Sequence, residues 1–309
     1  MNFGSGQTIA NAVTVPLSAD GYICLYVYGT AHLLVDANGY YTQTSATTGE
    51  QGPVNRISDE QIAMLAWHND PGKPATIEVG TNPHGIAFDG TNLYVTNAGD
   101  DTVSVIDPST NTVTATITVG DFPRGIAYNG NHIYVANNVD DTVSVIDPNT
   151  NTVTDTITAG NGPYGVTFNG TNIYVTNMGD GTVSVIDPNT NTVTATITVG
   201  NEPYGIASNG TNIYVSNITD NSVSVIEPAT NTVTATIPVG TNPFGIAYDG
   251  TNIYVTCFGD DSVSAIDPAT NTITATITVG ADPYHVAFDG TNIYVANNSG
   301  DTVSKLLPQ

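Results

Sequence analysis

Residues 83–120 read PHGIAFDGTNLYVTNAGDDTVSVIDPSTNTVTATITVG. Four short β-prone runs lie in this stretch, each bounded by turn residues. The first is Gly85-Ile86-Ala87-Phe88, and Asp89-Gly90 follows it as a hairpin turn, because glycine tolerates a positive φ. The second is Leu93-Tyr94-Val95-Thr96 and the third Val103-Ser104-Val105-Ile106. Asp107-Pro108 opens the next turn, with proline fixing φ and Asn111 suited to a left-handed conformation. In the fourth run Val113, Ala115, Ile117 and Val119 alternate with Thr114, Thr116 and Thr118, the pattern of an outer strand with one packed and one wet face. A helix of this length would need a 3.6-residue period, and none is present.

The frame then repeats. Gly90, Gly130, Gly170, Gly210, Gly250 and Gly290 recur 40 residues apart. Four antiparallel strands per repeat make the blade of a β-propeller, with a linear solenoid as the alternative. The chain ends decide between them. The last repeat has its first three strands and stops at Gln309, whereas Ala75-Thr76-Ile77-Glu78-Val79-Gly80 matches the fourth strand Ala115-Thr116-Ile117-Thr118-Val119-Gly120. The expected fold is all-β: a six-bladed propeller of four-stranded antiparallel blades over residues 75–309, closed by an N-terminal strand that completes the last blade. Closure would also cover a strand edge that otherwise invites aggregation.

Ile173-Tyr174-Val175-Thr176-Asn177, Thr182-Val183-Ser184-Val185-Ile186-Asp187-Pro188 and the run from Thr198 to Ile206 resemble the YVTN-type β-propeller repeats of bacterial and archaeal surface proteins. The resemblance covers residues 75–309. It implies a fold, while such repeats occur in surface-layer proteins, binding proteins and enzymes alike.

Residues 1–45 have a different texture. Three strands are expected, around Ala12–Leu17, Tyr22–Tyr28 and Leu33–Tyr41, and they resemble the C-terminal part of a small β-sandwich module of exported actinobacterial proteins. Its unpartnered edge suits pairing with the propeller or with another chain, so a homo-oligomer through this segment is expected. Residues 46–74 read as a linker with one short helix. Ser58-Asp59-Glu60-Gln61 is a capping box ahead of Ile62, Leu65 and Ala66, and Pro71-Gly72 ends the helix.

Composition narrows the function classes. Hydrophobic residues make up 39% of the 309, enough for a real core, but charged residues only 10%. Four residues are basic (Arg56, Lys73, Arg124, Lys305) against 28 acidic, and the net charge of -24 repels nucleic acid and anionic membrane surfaces. No apolar run approaches the roughly 18 residues that span a bilayer. Met1–Gly6 has neither the basic nor the apolar region of a signal peptide. A Thr/Asn-rich, Lys-poor surface nevertheless fits an extracellular or cell-surface protein cut from a longer precursor. Cys24 and Cys257 do not form a metal-ligand spacing, which leaves two isolated thiols or a disulfide between the two domains.

Loops on one face of a propeller surround its central channel. The residue after each loop proline varies, as His84, Arg124, Tyr164, Tyr204, Phe244 and Tyr284, although the surrounding repeat is nearly constant. An aromatic ring with one cation suits a protein or carbohydrate-like ligand; the same side chains could equally pack over neighbouring blades. A second ring, Asn97, Asn137, Asn177, Asn217, Cys257 and Asn297, ends the second strands, where asparagine ordinarily satisfies turn backbone. Cys257 breaks it, as a buried small residue or as a thiol facing the mouth. The acidic loops Asp100-Asp101, Asp140-Asp141, Asp180, Asp220, Asp260-Asp261 and Asp301 suit Asx-turns; Ca²⁺ is the one cofactor they suggest, without the ligand order of an EF-hand.

Pro83-His84-Gly85-Ile86 is similar to the Pro-His-Gly/Ala-Ile motif of streptogramin lyases, which are propellers. That resemblance implies His84 as general base together with a glutamate at the position where Asn97 stands here. Asparagine cannot accept a proton, and His285 is one residue out of register with His84. No Ser-His-Asp order, phosphate loop or haem motif accompanies it. Near-identical blades point to a non-catalytic extracellular binding or scaffold module that presents its aromatic face. A lyase using His84 and a structural subunit of a surface layer or filament are the alternatives.

Overall fold

The computed structural model describes residues 76–308. The expected N-terminal β segment of residues 1–45, the linker and helix of residues 46–74, Ala75 and Cys24 lie outside the described residues. The remainder is all-β, with six sheets in a propeller ring. Blade 1 runs outward in sequence order through Pro83–Phe88, Leu93–Asn97, Thr102–Asp107 and Thr112–Thr118. Blades 2 to 5 repeat it 40 residues apart and end on the outer strands Thr152–Thr158, Thr192–Thr198, Thr232–Pro238 and Thr272–Thr278. Blade 6 has Pro283–Phe288, Ile293–Asn297 and Thr302–Leu306. All neighbouring strands within a blade pair antiparallel. The inner strands of consecutive blades pack side by side from blade 1 to blade 6.

The Tyr-Val-Thr-Asn signature is explained by packing. Tyr94, Tyr134, Tyr174, Tyr214 and Tyr254 are fully buried between sheets. Tyr94, Val103, Val105 and Ile117 of blade 1 meet Ile126, Ile133, Val135 and Ile146 of blade 2, and later blade pairs repeat the arrangement. Each such aliphatic side chain contributes about 1.5–3 kcal/mol by leaving water. The threonine crosses the gap between blades. Thr96 Oγ1 donates to the Arg124 carbonyl at 2.8 Å and accepts from the Gly85 N–H, and Thr176, Ser216 and Thr256 repeat the bridge to the next blade. The asparagine ties three chain segments together. Asn97 Nδ2 donates to Thr102 and Ser104, and its Oδ1 accepts from the Gly80 N–H at 3.1 Å.

Two local devices are not visible as strand alternation. Each outer strand carries a bulge: Val105 pairs Ala115 but Ile106 pairs Val113, so Thr114 is the extra residue, and its hydroxyl donates to the Val105 carbonyl. Asn111 takes φ 56°, the left-handed conformation expected of it, as do Asn151, Asn191, Asn231 and Asn271.

The closing strand does half of what the sequence predicts. Ile77 and Val79 pack on Phe88, Leu93, Val95 and Ile106 of blade 1, as Ile117 and Val119 pack on blade 2. Gly80 is held by Asn97 as Gly160 is held by Asn177. The last sheet, however, has three strands among the described residues, and Thr302–Leu306 is its edge. Val303 is therefore 65% exposed, whereas its counterparts Val103 to Val263 are fully buried. Among the described residues the segment is docked on blade 1 and forms no strand pairing with blade 6.

Candidate functional site at the ring mouth

The loop leading into each inner strand and the loop between second and third strands meet on one face. The acidic residues hold them together. Asp100, Asp140, Asp180, Asp220 and Asp260 accept the N–H of residues 81, 121, 161, 201 and 241 at 2.5–2.8 Å. Asp101, Asp141 and Asp261 accept an N–H from the incoming loop of the next blade, at Phe122, Gly162 and Asp282. These carboxylates are latches within and between blades, a longer-range role than the Asx-turns expected of them. Asx-turns form instead on the opposite face, at Asp89 and Asn169 among others. Among the described residues no three His, Cys, Asp or Glu side chains gather where they could hold a metal ion. The pairs Asp100-Asp101, Asp140-Asp141 and Asp260-Asp261 thus offer far fewer oxygens than the six to eight that Ca²⁺ takes.

The variable ring does converge. His84 Nε2 lies 2.8 Å from the Tyr164 hydroxyl, Tyr164 lies 2.5 Å from the Tyr204 hydroxyl, and Tyr204 donates to Tyr284 at 2.6 Å. Phe244 stacks on Tyr284 with ring centroids 4.7 Å apart and meets Tyr204 edge-on. Arg124 places its guanidinium carbon 4.1 Å from the Phe122 ring centroid and 5.2 Å from that of Tyr164. Tyr164 and Tyr204 are only 7% and 4% exposed, so at the centre these rings pack on one another rather than line an open cavity. His84, Arg124, Phe244 and Tyr284 remain half-buried at its margin.

Electrostatics follow from this packing. Burial, the nearby Arg124 and His285 push the His84 imidazole down to about 3. It is neutral at physiological pH. Burial also raises Tyr164 and Tyr204 above the ordinary phenol range, so both hydroxyls stay protonated.

Two contributors escape a reading limited to the residue after the proline. The position after the asparagine also varies, as Ala98, Asn138, Met178, Ile218, Phe258 and Asn298. Met178 and Ile218 pack on the tyrosines, and Phe258 lies 5.3 Å from Phe244 between ring centroids. The mouth therefore has an apolar arc on blades 3 to 5 and a polar arc on blades 6, 1 and 2. His285 is the second. Its ring sits 5.7 Å from that of His84 and 4.9 Å from that of Tyr284. It also borders a groove of about 350 Å³ with Tyr284, Asn298 and Val303. The signal for it was present: His285 stands where five other blades have glycine.

In the asparagine ring, Asn97, Asn177 and Asn217 accept a backbone N–H as expected, whereas the Asn137 and Asn297 oxygens have no partner, and all five amides donate to Thr or Ser side chains of the third strand. Cys257 is a free thiol, fully buried under the mouth, with burial raising its pKa and Ser264 3.5 Å away. It does not face the channel. Asn169, Asn209, Asn217 and Asn297 each open an Asn-X-Thr/Ser sequence of the glycosylation type, but Asn217 and Asn297 are buried and Asn169 and Asn209 accept the N–H groups of their own turns.

Six radial antiparallel sheets with their loops latched around a central mouth define a β-propeller. Residues 73–171 match the family described as YNCE-like beta-propeller. That match and the six-bladed ring together fit a propeller of the YVTN type. A PE-PGRS family protein of Mycobacterium tuberculosis, PE_PGRS18, is 68% identical over 34 residues, which are 11% of this chain and 7% of that protein. The matched stretch thus spans a small fraction of that relative's length. Among solved structures, a chain of Kuenenia stuttgartiensis hydrazine synthase superposes with a TM-score of 0.52 at 18% identity, over 78% of this chain and 99% of that one. This is a likeness of fold. Among the described residues no helix is long and apolar enough to cross a membrane.

Proposed function

We propose that this propeller is a non-catalytic binding or scaffold module that works outside the cell or at its surface and receives a protein or carbohydrate-like ligand on the mouth face. One observation carries the reading. The repeated residues are occupied with holding blades and loops together, while the two rings that vary from blade to blade gather at the mouth. Half-buried Tyr284 and Phe244 offer ring faces, and Arg124 offers donors on the opposite arc. That combination suits sugar rings or aromatic peptide side chains. The acidic, Thr/Asn-rich composition fits an extracellular setting.

Lyase chemistry has weaker support. A base with a pKa near 3 removes protons poorly at neutral pH, and the Asn97 amide that replaces the required glutamate is fully engaged in structural bonds. The test is a panel of soluble oligosaccharides and peptides titrated against tyrosine fluorescence. A ligand whose binding is lost in a Tyr284→Ala/Arg124→Ala variant supports the reading. Binding unchanged in that variant, or no binding across the panel, overturns it.

A further inference from the structure

We infer that the outer strands of blades 1, 3 and 5 are self-association edges, each built to pair with the same edge on a second copy of this chain. The inference does not depend on what the mouth binds. An outer strand presents an unpaired row of N–H and C=O groups, and proteins that stay apart guard such edges with charge, lysine, proline or bulges. Here the guards alternate around the ring. Blade 2 reads TVTDTIT, with Asp155 exposed where the other complete blades have alanine. Blade 4 reads TVTATIP, and Pro238 pairs with Ser222 as Thr118 pairs with Thr102, so its missing N–H is one the sheet does not need. The edge of blade 6 carries exposed Lys305. Blades 1, 3 and 5 read TVTATIT, TVTATIT and TITATIT, with no charge and no proline.

Two further features make a second copy the fitting partner. The unguarded sequences read nearly the same in both directions, and that of blade 5 reads identically, so an antiparallel two-fold pairing sets Thr against Thr, Ala against Ala and β-branched against β-branched residues. The same pairing in blade 2 would set Asp155 against Asp155. In a chain of net charge -24, uncharged strands are also where another equally acidic copy can approach. Val113 and Ile273, on the edges of blades 1 and 5, are 36% and 40% exposed. The bulge at Thr114 and its equivalents lies in the outer strand of every complete blade, guarded and unguarded alike, so it does not set the two groups apart. One such contact buries well under the ~1,000 Å² of a stable interface, so a single pair is weak and association grows only when several edges engage together.

The test is sedimentation velocity of the full chain across a range of concentrations and salt. The wild type should rise above monomer mass with concentration, more so at high salt, which screens the net charge. An Ala115→Asp/Ala195→Asp/Ala275→Asp variant copies the guard that blade 2 already tolerates. It should stay monomeric at concentrations about tenfold higher, a change equal to about 1.4 kcal/mol. Asp155→Ala/Pro238→Thr should associate at lower concentration than wild type. A strictly monomeric wild type, or a triple variant that associates as the wild type does, overturns the inference. Circular dichroism melting confirms that the triple variant is folded. If it is not, the unguarding variant decides alone: association no stronger than wild type overturns the inference.

Discussion

The Tyr164 hydroxyl lies 2.8 Å from His84 Nε2, so blades 1 and 3 touch across the mouth without passing through blade 2. Tyr204 donates to Tyr284, which leaves Tyr164 to donate to Tyr204 and His84 to donate its Nε2 proton to Tyr164. The chain has one direction and requires a proton on Nε2, while burial beside Arg124 and His285 keeps the imidazole neutral. With a folded pKa near 3 against 6.5 unfolded, the unfolded chain binds one more proton between those values. Stability from this group is complete above pH 6.5 and is lost as pH falls toward 3, by at most about 1.4 kcal/mol per pH unit. Urea unfolding at pH 7 and pH 5 should show the loss, and His84→Asn should shrink it. An identical pH dependence in the variant would contradict the assignment.

The central hydroxyl is the keystone of the same chain. Tyr204→Phe keeps the ring and its contacts with Tyr164 and Phe244 but deletes the acceptor of Tyr164 and the donor to Tyr284. A buried hydroxyl left without its partner costs about 1–3 kcal/mol. The expected result is a melting temperature lowered by a few degrees with unchanged far-ultraviolet circular dichroism. Tyr284→Phe, at the half-exposed end of the chain, should cost less.

The asparagine ring offers a comparison within one molecule. Asn177→Ala removes donors to Thr182 and Ser184 and uncaps the Gly160 N–H, for an expected loss of about 2–3 kcal/mol by denaturant unfolding. Cys257 occupies the same site with two weak sulfur contacts, to Ser264 and to the Val255 carbonyl, next to Ser262, whose hydroxyl is buried without a partner. Cys257→Asn should therefore stabilise blade 5 by about 1 kcal/mol. The wild-type thiol, buried and with a raised pKa, should resist alkylation until the protein unfolds.

Blade count, strand positions and the left-handed asparagines were legible in the sequence because each depends on contacts within 40 residues. The first variable ring was legible for the same reason: His84 and Tyr284 stand out against a constant background. The direction of those side chains was not. Whether Tyr204 opens toward solvent or closes over its neighbours depends on residues 40 and 80 positions away, which meet only once the ring forms. The mouth carboxylates were misread for a related reason. Asp100 and Asp101 sit in a turn and look like local turn formers, yet their partners, Thr81 and Phe122, belong to loops about 20 residues away in the chain. Closure was half legible, because the match of Ala75–Gly80 to a fourth strand reports its packing on blade 1 as much as its pairing with blade 6.

Gly245 and His285 stand at the same inner-strand position of blades 5 and 6. A Cβ built on Gly85 would lie 2.5 Å from the Arg124 carbonyl, and one on Gly245 would lie 2.7 Å from the Tyr284 carbonyl, closer than real side chains approach backbone. Glycine at this inner-strand site lets consecutive blades come together, and all five seams from blade 1 to blade 6 have it. The seam between blades 6 and 1 has His285, an exposed residue whose ring rests against His84 and Tyr284, and Val303 and Ile86 are exposed as well. Gly245→Ala should therefore wedge blades 5 and 6 apart and cost about 1–3 kcal/mol through overpacking. His285→Ala should leave the melting temperature within a degree or two of wild type, since its Cβ is already accommodated. Equal losses in the two variants would mean that the seam between blades 6 and 1 is as tight as the other five, with Thr302–Leu306 zipped to the segment ending at Gly80.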